Sequence, residues 1–332
     1  MFVPVVDKEQ NPLMPTKPSR ARRWIKSGKA TPFWKKGVFC VRLNVEPSAR
    51  VKQSIAVGID PGSKKEAFSV KSASHTYLNI QTDAITWASD SVKTRREMRR
   101  GRRFRKTPCR KPRFNRARGG LPPSTKARWQ WKLRICWWLA KMYPITTFVV
   151  EDIKAKTKGQ RRWDKSFSPL EVGKAWFYKE LSQIAGVKTK SGWETKLLRD
   201  ELGLKKSGDK MANVFEAHGV DSWVLAFSEV GGKVVDNKNL LLVKPLQFRR
   251  RQLHLLKPST GGFRRGHGGT QSMGFKRGSV VSHLKYGVLY VGGTSKDRIS
   301  LHSLSDGQRL CQNAKGSDCK FLTYSSWRVL TA

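Results

Sequence analysis

The sequence predicts an α/β chain in which a mixed β-sheet with flanking helices is interrupted by an arginine-rich helix and bracketed by small β-containing domains. Two short apolar runs rich in β-branched residues, Ser54–Ile59 and Ile145–Val150, read as buried strands, and each leads directly into a carboxylate, Asp60 and Glu151. Helical spacing dominates the stretches that follow the second run. Between the two runs, Arg95 to Arg118 holds thirteen Lys or Arg residues against Glu97 alone, and no apolar face can be drawn on it.

The elements follow in order. Asn11-Pro-Leu-Met-Pro15, a basic segment from Lys17 to Lys29 and the strand-like Gly37–Leu43 suggest a small β-plus-helix unit over 1–52. After the first buried run, Asp60-Pro-Gly-Ser63 is a turn signal, and Ala67–Lys71 with Thr76–Thr82 completes a three-strand antiparallel meander within 53–92. Such a meander is how an RNase H-like sheet begins. The basic helix occupies 93–120. Ser124 is an N-cap candidate for a helix running to Met142, with Trp131, Ile135, Trp138 and Leu139 on one stripe and Pro144 behind it. Further helices are expected over 169–186, 194–202 and 209–229, dividing the chain into 121–203 and 204–232. The remainder, 233–332, alternates Gly-rich basic stretches with short strands such as Tyr286–Val291 and Arg298–Ser303, which suggests a small twisted β-barrel.

Composition narrows the function classes. The 332 residues suffice for a well-formed core, and no apolar run approaches the roughly 20 residues of a spanning helix. The N-terminus lacks the basic, then apolar, pattern of a secretion signal, so a cytoplasmic location is expected. Five cysteines without a Cys-x-x-Cys pair suggest neither a disulfide framework nor a zinc knuckle. A formal net charge of +43 repels itself unless a polyanion neutralises it, so nucleic acid is the expected partner. Twelve Trp and 15 Phe add flat surfaces on which bases can stack.

The candidate chemistry is phosphodiester hydrolysis, which is slow because the attacked group is already anionic. Two divalent ions about 3.5–4 Å apart relieve this, and they need carboxylates converging from rigid elements. If the strands before Asp60 and Glu151 are parallel neighbours, both carboxylates emerge at one sheet edge. His218 and Asp221 stand at i and i+3 on an expected helix and so share a face. Asp60, Glu151 and Asp221 are the candidate metal ligands, with His218 positioning or deprotonating the attacking water. Mg2+ suits such oxygen ligands, and Mn2+ is a possible substitute.

These motifs, in this order, resemble the IsrB family of transposon-encoded RNA-guided nickases, relatives of the IscB nucleases. The resemblance rests on Asn11-Pro-Leu-Met-Pro15, Gly58-Ile-Asp-Pro-Gly-Ser63, the Arg95 to Arg116 run, Val149-Val-Glu-Asp152 and His218-Gly-Val-Asp221. It spans nearly the whole chain and is least specific after residue 232. It implies an RNase H-like (RuvC) mixed sheet split into three segments, an N-terminal domain of PLMP type, an arginine-rich bridge helix, and a C-terminal β domain that reads a target-adjacent motif. Only 67 positions (218 minus 151) separate Glu151 from His218, and His218 is the sole histidine between His75 and His254, so an inserted HNH nuclease does not fit.

One active site implies one cut strand, and the resemblance implies the displaced, non-target strand. It further implies a monomeric protein in a ribonucleoprotein, with a structured guide RNA supplying much of the scaffold and double-stranded DNA as target, in a prokaryotic cytoplasm and on the nucleoid when bound to DNA. The expected nucleic-acid contacts are Arg95, Arg96, Arg99, Arg100, Arg102, Arg103, Arg105, Arg110, Arg113 and Arg116 of the bridge, and Arg249, Arg250, Arg264, Arg265 and Arg277 of the C-terminal domain. Two other readings stay open: a non-catalytic basic RNA-binding structural protein, and an unguided RuvC-like junction resolvase or transposase.

Overall fold

The computed structural model describes residues 2–48, 50–106, 120–154, 170–232, 235–246, 271–295 and 297–331. The chain forms two compact units, the first reaching from the N-terminus to Leu242 with Thr331–Ala332, and the second spanning Val243–Leu330.

At the start of the first unit, β1 (Val3–Val6), β2 (Pro12–Thr16), α1 (Pro18–Lys26), β3 (Ala30–Lys35) and β4 (Val38–Leu43) make a sheet of order β2-β1-β4-β3. Strands β1 and β4 are parallel, while β2 and β3 run antiparallel to their neighbours. Val3, Val5, Leu13, Ala21, Val41 and Leu43 form its core under Trp24 and Ile25 of α1. Here Pro12 and Pro15 lie in β2, an edge strand, the one sheet position that tolerates missing backbone donors.

The central sheet carries β5 (Ala56–Asp60), β6 (Lys65–Lys71), β7 (Thr76–Asp83), β8 (Thr147–Asp152) and β9 (Gly186–Ser191) in the order β7-β6-β5-β8-β9. The meander β5-β6-β7 is antiparallel; β8 lies parallel to β5, and β9 parallel to β8. This mixed sheet, with three antiparallel strands followed by parallel additions on the far side of the first, is RNase H-like. Five helices accompany it, α2 (Trp87–Phe104), α3 (Pro123–Ala140), α4 (Lys174–Leu181), α5 (Gly192–Glu201) and α6 (Val220–Val230), of which α2 meets α3 and buries none of its residues. No helix of the described residues is long and apolar enough to cross a membrane.

Why β5 can lie so close to α6 is written in Gly58. A Cβ there would fall inside the Ser222 backbone carbonyl, so only glycine lets the strand before Asp60 and the helix carrying Asp221 make this backbone contact. All five residues of β5 are buried, which explains its unbroken apolar pattern.

Several local expectations need correcting. Helix α3 begins at Pro123 after Pro122, not at a Ser124 cap, because proline at the first helical position lacks only an N–H that has no partner there anyway. The long helix expected over 169–186 reduces to α4, introduced by Gly173 in a left-handed conformation (φ 87°), and its C-terminal part gives way to β9. β9 is polar because it is the outer strand beside β8, where Lys188 and Thr189 are exposed.

Helix α5 starts at Gly192 rather than at 194, fixed by a capping box in which Ser191 and Glu194 satisfy each other's backbone N–H groups. The helix expected from 209 begins instead as a π-helical turn, Phe215–Gly219, which passes into α6. His218 and Asp221 therefore lie on differently wound turns.

The second unit continues β10 (Leu240–Pro245) and contains β11 (Gln271–Ser272), β12 (Phe275–Lys276), β13 (Ser279–His283), β14 (Gly287–Ser295), β15 (Arg298–Ser303), β16 (Arg309–Ala314), β17 (Cys319–Tyr324) and β18 (Trp327–Thr331). Five of them form an antiparallel sheet of order β16-β15-β14-β13-β17 over Val281, Leu289, Val291, Ile299 and Leu301. Its ends do not pair with each other among the described residues, so this is an open sheet and not the expected barrel. Both terminal strands are largely exposed, with polar or basic groups along them that suit an edge. Cys40, Cys136, Cys311 and Cys319 are free thiols, in line with the expected absence of a disulfide framework; Cys109 lies outside the described residues.

Candidate active site

Parallel pairing of β5 with β8 places Asp60 and Glu151 at the same sheet edge, each at or next to its strand's last residue. Burial, then the nearby charge of Asp60, holds the Glu151 carboxyl well above the ordinary carboxylate range, with Asp221 adding to the rise and Lys206 opposing it. Two nearly buried carboxylates so placed repel one another, and a proton or a cation between them relieves the repulsion.

His218 reaches the same point from the π-helical turn. Its Nδ1 lies 2.9 Å from Asp60 Oδ2, and its Nε2 lies 3.0 Å from the Lys210 carbonyl oxygen. Burial pulls the imidazole pKa down, but the hydrogen bond and charge of Asp60, together with the Lys210 carbonyl, outweigh it and hold the group above its ordinary value. With acceptors at both nitrogens, the ring is set up to donate from both, which fixes Asp60 in place.

Asp221 is held by two side-chain cations. Arg199 Nη1 of α5 donates to its Oδ1 at 2.6 Å, and Lys206 Nζ donates to its Oδ2. Lys206 also feels the charges of Asp60 and Glu151, and these attractions raise its pKa despite burial. Three carboxylates and a lysine thus share one electrostatic neighbourhood, yet among the described residues no three or more His, Cys, Asp or Glu side chains close into a metal-binding cage. By donor chemistry and proximity, Asp60 and Glu151 are the pair that fits a hard divalent cation. Asp221 is shared with two side-chain cations.

Arg199, Lys206, Glu66 and Lys132 were not singled out from the sequence. Lys132 of α3 and Glu66 of β6 are both fully buried and paired at 2.7 Å. Burial pushes the Glu66 carboxyl up to about 7, against the pull of Lys132, with the charge of Asp60 adding to the rise. Its Oε2 has no hydrogen-bond partner among the described residues. Lys132 shares its helix with Lys126, Arg128 and Arg134, so no local signal marked it as the buried cation.

Helix α2 buries no residue at all. Arg95, Arg96, Arg99, Arg100, Arg103 and Arg105 are exposed and Arg102 is half-buried, so the basic surface faces outward on several sides. Arg128 of α3 donates to Ser89 Oγ at 2.9 Å near the start of α2. Arg110, Arg113, Arg116, Arg249, Arg250, Arg264 and Arg265 lie outside the described residues. Arg277 is exposed and its Nε donates to the Gly292 carbonyl.

Comparison with known proteins adds a family match. Residues 3–162 match the model of a family described as RRXRR protein. That stretch includes Arg99-Arg100-Gly101-Arg102-Arg103, an Arg-Arg-x-Arg-Arg run on α2. No curated protein matches the sequence. Among solved structures, the chain is similar to RuvC of Thermus thermophilus in complex with a Holliday junction substrate, at 11% identity and a TM-score of 0.30, over 53% of this chain and 92% of that one. A second Thermus thermophilus RuvC structure matches at 12% identity and a TM-score of 0.25, over 52% of this chain and 92% of that one.

Proposed function

We propose that this chain is a metal-dependent DNA endonuclease of the IsrB type, guided by RNA, that nicks the displaced non-target strand. The observation that carries the reading is the placement of Asp60 and Glu151 at the shared end of neighbouring parallel strands, with His218 bonded to Asp60. Asp60 and Glu151 would hold Mg2+, for which Mn2+ would substitute, and in a two-ion arrangement Asp221, bonded to Arg199 and Lys206, would be the further ligand. When bound, the ions supply charge neutralisation at the scissile phosphate and a more acidic water.

The chain's own groups do the rest. His218 holds Asp60 in the orientation that Glu151 requires, a positioning role. Arg199 and Lys206 hold the Asp221 carboxylate by hydrogen bonds and add positive charge where the phosphate arrives. A structural RNA-binding protein has no use for buried, mutually repelling carboxylates, which cost stability.

The exposed arginines of α2 support a phosphate partner on several sides, because no residue of that helix is buried among the described residues. We assign the guide RNA to it and the target-adjacent duplex to the C-terminal β unit, with the protein acting as a single copy in a ribonucleoprotein. Changing Arg99, Arg102 and Arg103 together to Ala is expected to weaken RNA binding and to flatten the slope of log affinity against log salt by about 2, at roughly 0.7–0.9 per phosphate contact. An unchanged slope removes α2 from the RNA interface.

The guided reading is tested by purification. The protein is expected to carry a discrete long RNA, and ribonuclease treatment is expected to abolish sequence-directed nicking of a supercoiled plasmid. Cleavage that persists without RNA, on branched DNA, identifies an unguided junction resolvase or transposase instead.

A further inference from the structure

Helix α5 does more than supply Arg199. Its first residue, Gly192, leaves room for the Glu151 carboxylate, since a Cβ at that position would stand 2.9 Å from Glu151 Oε1. Arg199, two turns on, bonds Asp221. Gly192 and Arg199 thus mark the stripe of α5 that faces the acidic cluster. Leu198 and Leu202 pack on the opposite flank against the core formed by Phe215, Trp223 and Val224.

Turning the other way from Gly192, at 3.6 residues per turn, Lys196 comes about 40° round and Trp193 about 100° round. Leu197 lies one turn beyond Trp193, on the same outward strip. All three are exposed, Trp193 to 68% and Leu197 to 39%. Among the described residues, no buried packing holds this indole, which is 68% exposed one residue from the glycine beside Glu151. The order outward from the carboxylates is a cation, then a flat aromatic face. That is the order in which a polynucleotide strand presents a phosphate and then its base.

We propose that Trp193 and Lys196 form a rest for the DNA strand being cut: Lys196 takes a phosphate beside the scissile one, and a neighbouring unpaired base stacks on Trp193. Charge complementarity favours this occupant, because Lys190 near the end of β9 and the exposed Lys196 stand three residues to either side of Trp193 in the chain. A single strand fits and a duplex does not, since only unpaired bases offer an open face. The assignment rests on the nuclease reading given above and deepens it by naming the residues that position the substrate.

The test measures binding apart from cleavage. The full chain carrying Asp60→Asn, with its co-purified RNA, is titrated with a single-stranded oligodeoxynucleotide containing 2-aminopurine beside the cleavage position. Stacking on Trp193 is expected to quench the 2-aminopurine. Adding Trp193→Ala is expected to remove the quench and weaken binding about tenfold, while Trp193→Phe keeps most of both. Lys196→Ala is expected to reduce the salt slope by about one contact and to leave the quench of bound oligonucleotide in place.

In protein with Asp60 intact, Trp193→Ala is expected to raise KM for nicking more than it lowers kcat. Equal quench and affinity in the Trp193→Ala protein overturn the proposal. So does the same loss for Phe as for Ala, or equal quenching by an RNA oligonucleotide of the same sequence. Failure of the nuclease reading shows instead as nicking that survives Asp60→Ala, whatever the oligonucleotide titration gives.

Discussion

Nicking by the Asp60→Ala protein is expected to fall by about three orders of magnitude or more, with little change in nucleic-acid affinity. Asp60 ends the strand beside that of Glu151 and meets His218 at 2.9 Å. Removing it deletes a ligand of the proposed cation, frees His218 from its anchor and lets Glu151 ionise without a neighbour. Cation stabilisation of a reacting phosphoryl oxygen is worth several kcal/mol, and each 1.36 kcal/mol is about tenfold in rate. The measurement is single-turnover nicking of a supercoiled plasmid with the RNA-loaded protein. Because Asp60 is nearly buried at the end of a five-residue strand, Asp60→Asn serves as the shape-conserving control, and it is expected to be similarly inactive while folding normally.

The second large effect concerns stability. Lys132→Met is expected to destabilise the first unit by about 3–5 kcal/mol, because it leaves Glu66 buried without its cation. The double change Lys132→Met with Glu66→Leu is expected to recover much of that loss, since an apolar pair of similar size needs no desolvated charge. The pH dependence has a definite sign. Glu66 titrates near 7 in the folded protein against an ordinary 4.5, so the folded state holds its proton more tightly than the unfolded chain.

Losing Lys132 raises the folded value further. The cost of the substitution is therefore smallest at pH below about 4.5, where both states are protonated, and grows as pH rises through and beyond 7. Thermal unfolding of the wild-type, single and double variants at pH 5 and pH 8 checks this. A Lys132→Met protein as stable as wild type at pH 8 contradicts the assigned role of the pair.

What was legible in the sequence follows from which physical signals survive without coordinates. Strands β5 and β8 were readable because both faces of each are buried, so their residues form unbroken apolar runs that stop at the carboxylates. Gly58 was readable as part of a motif, although its reason, the approach of the Ser222 carbonyl, is a tertiary fact. The outer strand β9 was hidden because Lys188 and Lys190 erase the apolar pattern that marks a strand.

Arg199 and Lys206 were hidden for another reason: in a chain with 67 Lys and Arg, nothing local separates a cation that neutralises Asp221 from one that meets solvent. The winding of the Phe215–Gly219 turn, which sends His218 to Asp60 while Asp221 turns to Arg199, is set by packing and not by residue spacing. Glu66 and Lys132 show the same limit, since each read alone resembles an ordinary surface charge.

The most direct test of the metal-dependent site replaces one non-bridging oxygen of the scissile phosphate with sulfur and compares nicking in Mg2+ and Mn2+. Sulfur binds the hard Mg2+ poorly and the softer Mn2+ better. If Asp60 and Glu151 hold a cation against that phosphate, one sulfur diastereomer is nicked slowly in Mg2+ and recovers in Mn2+, and the recovery is absent in the Glu151→Gln protein. Equal rates for oxygen and both sulfur substrates in either metal contradict the account.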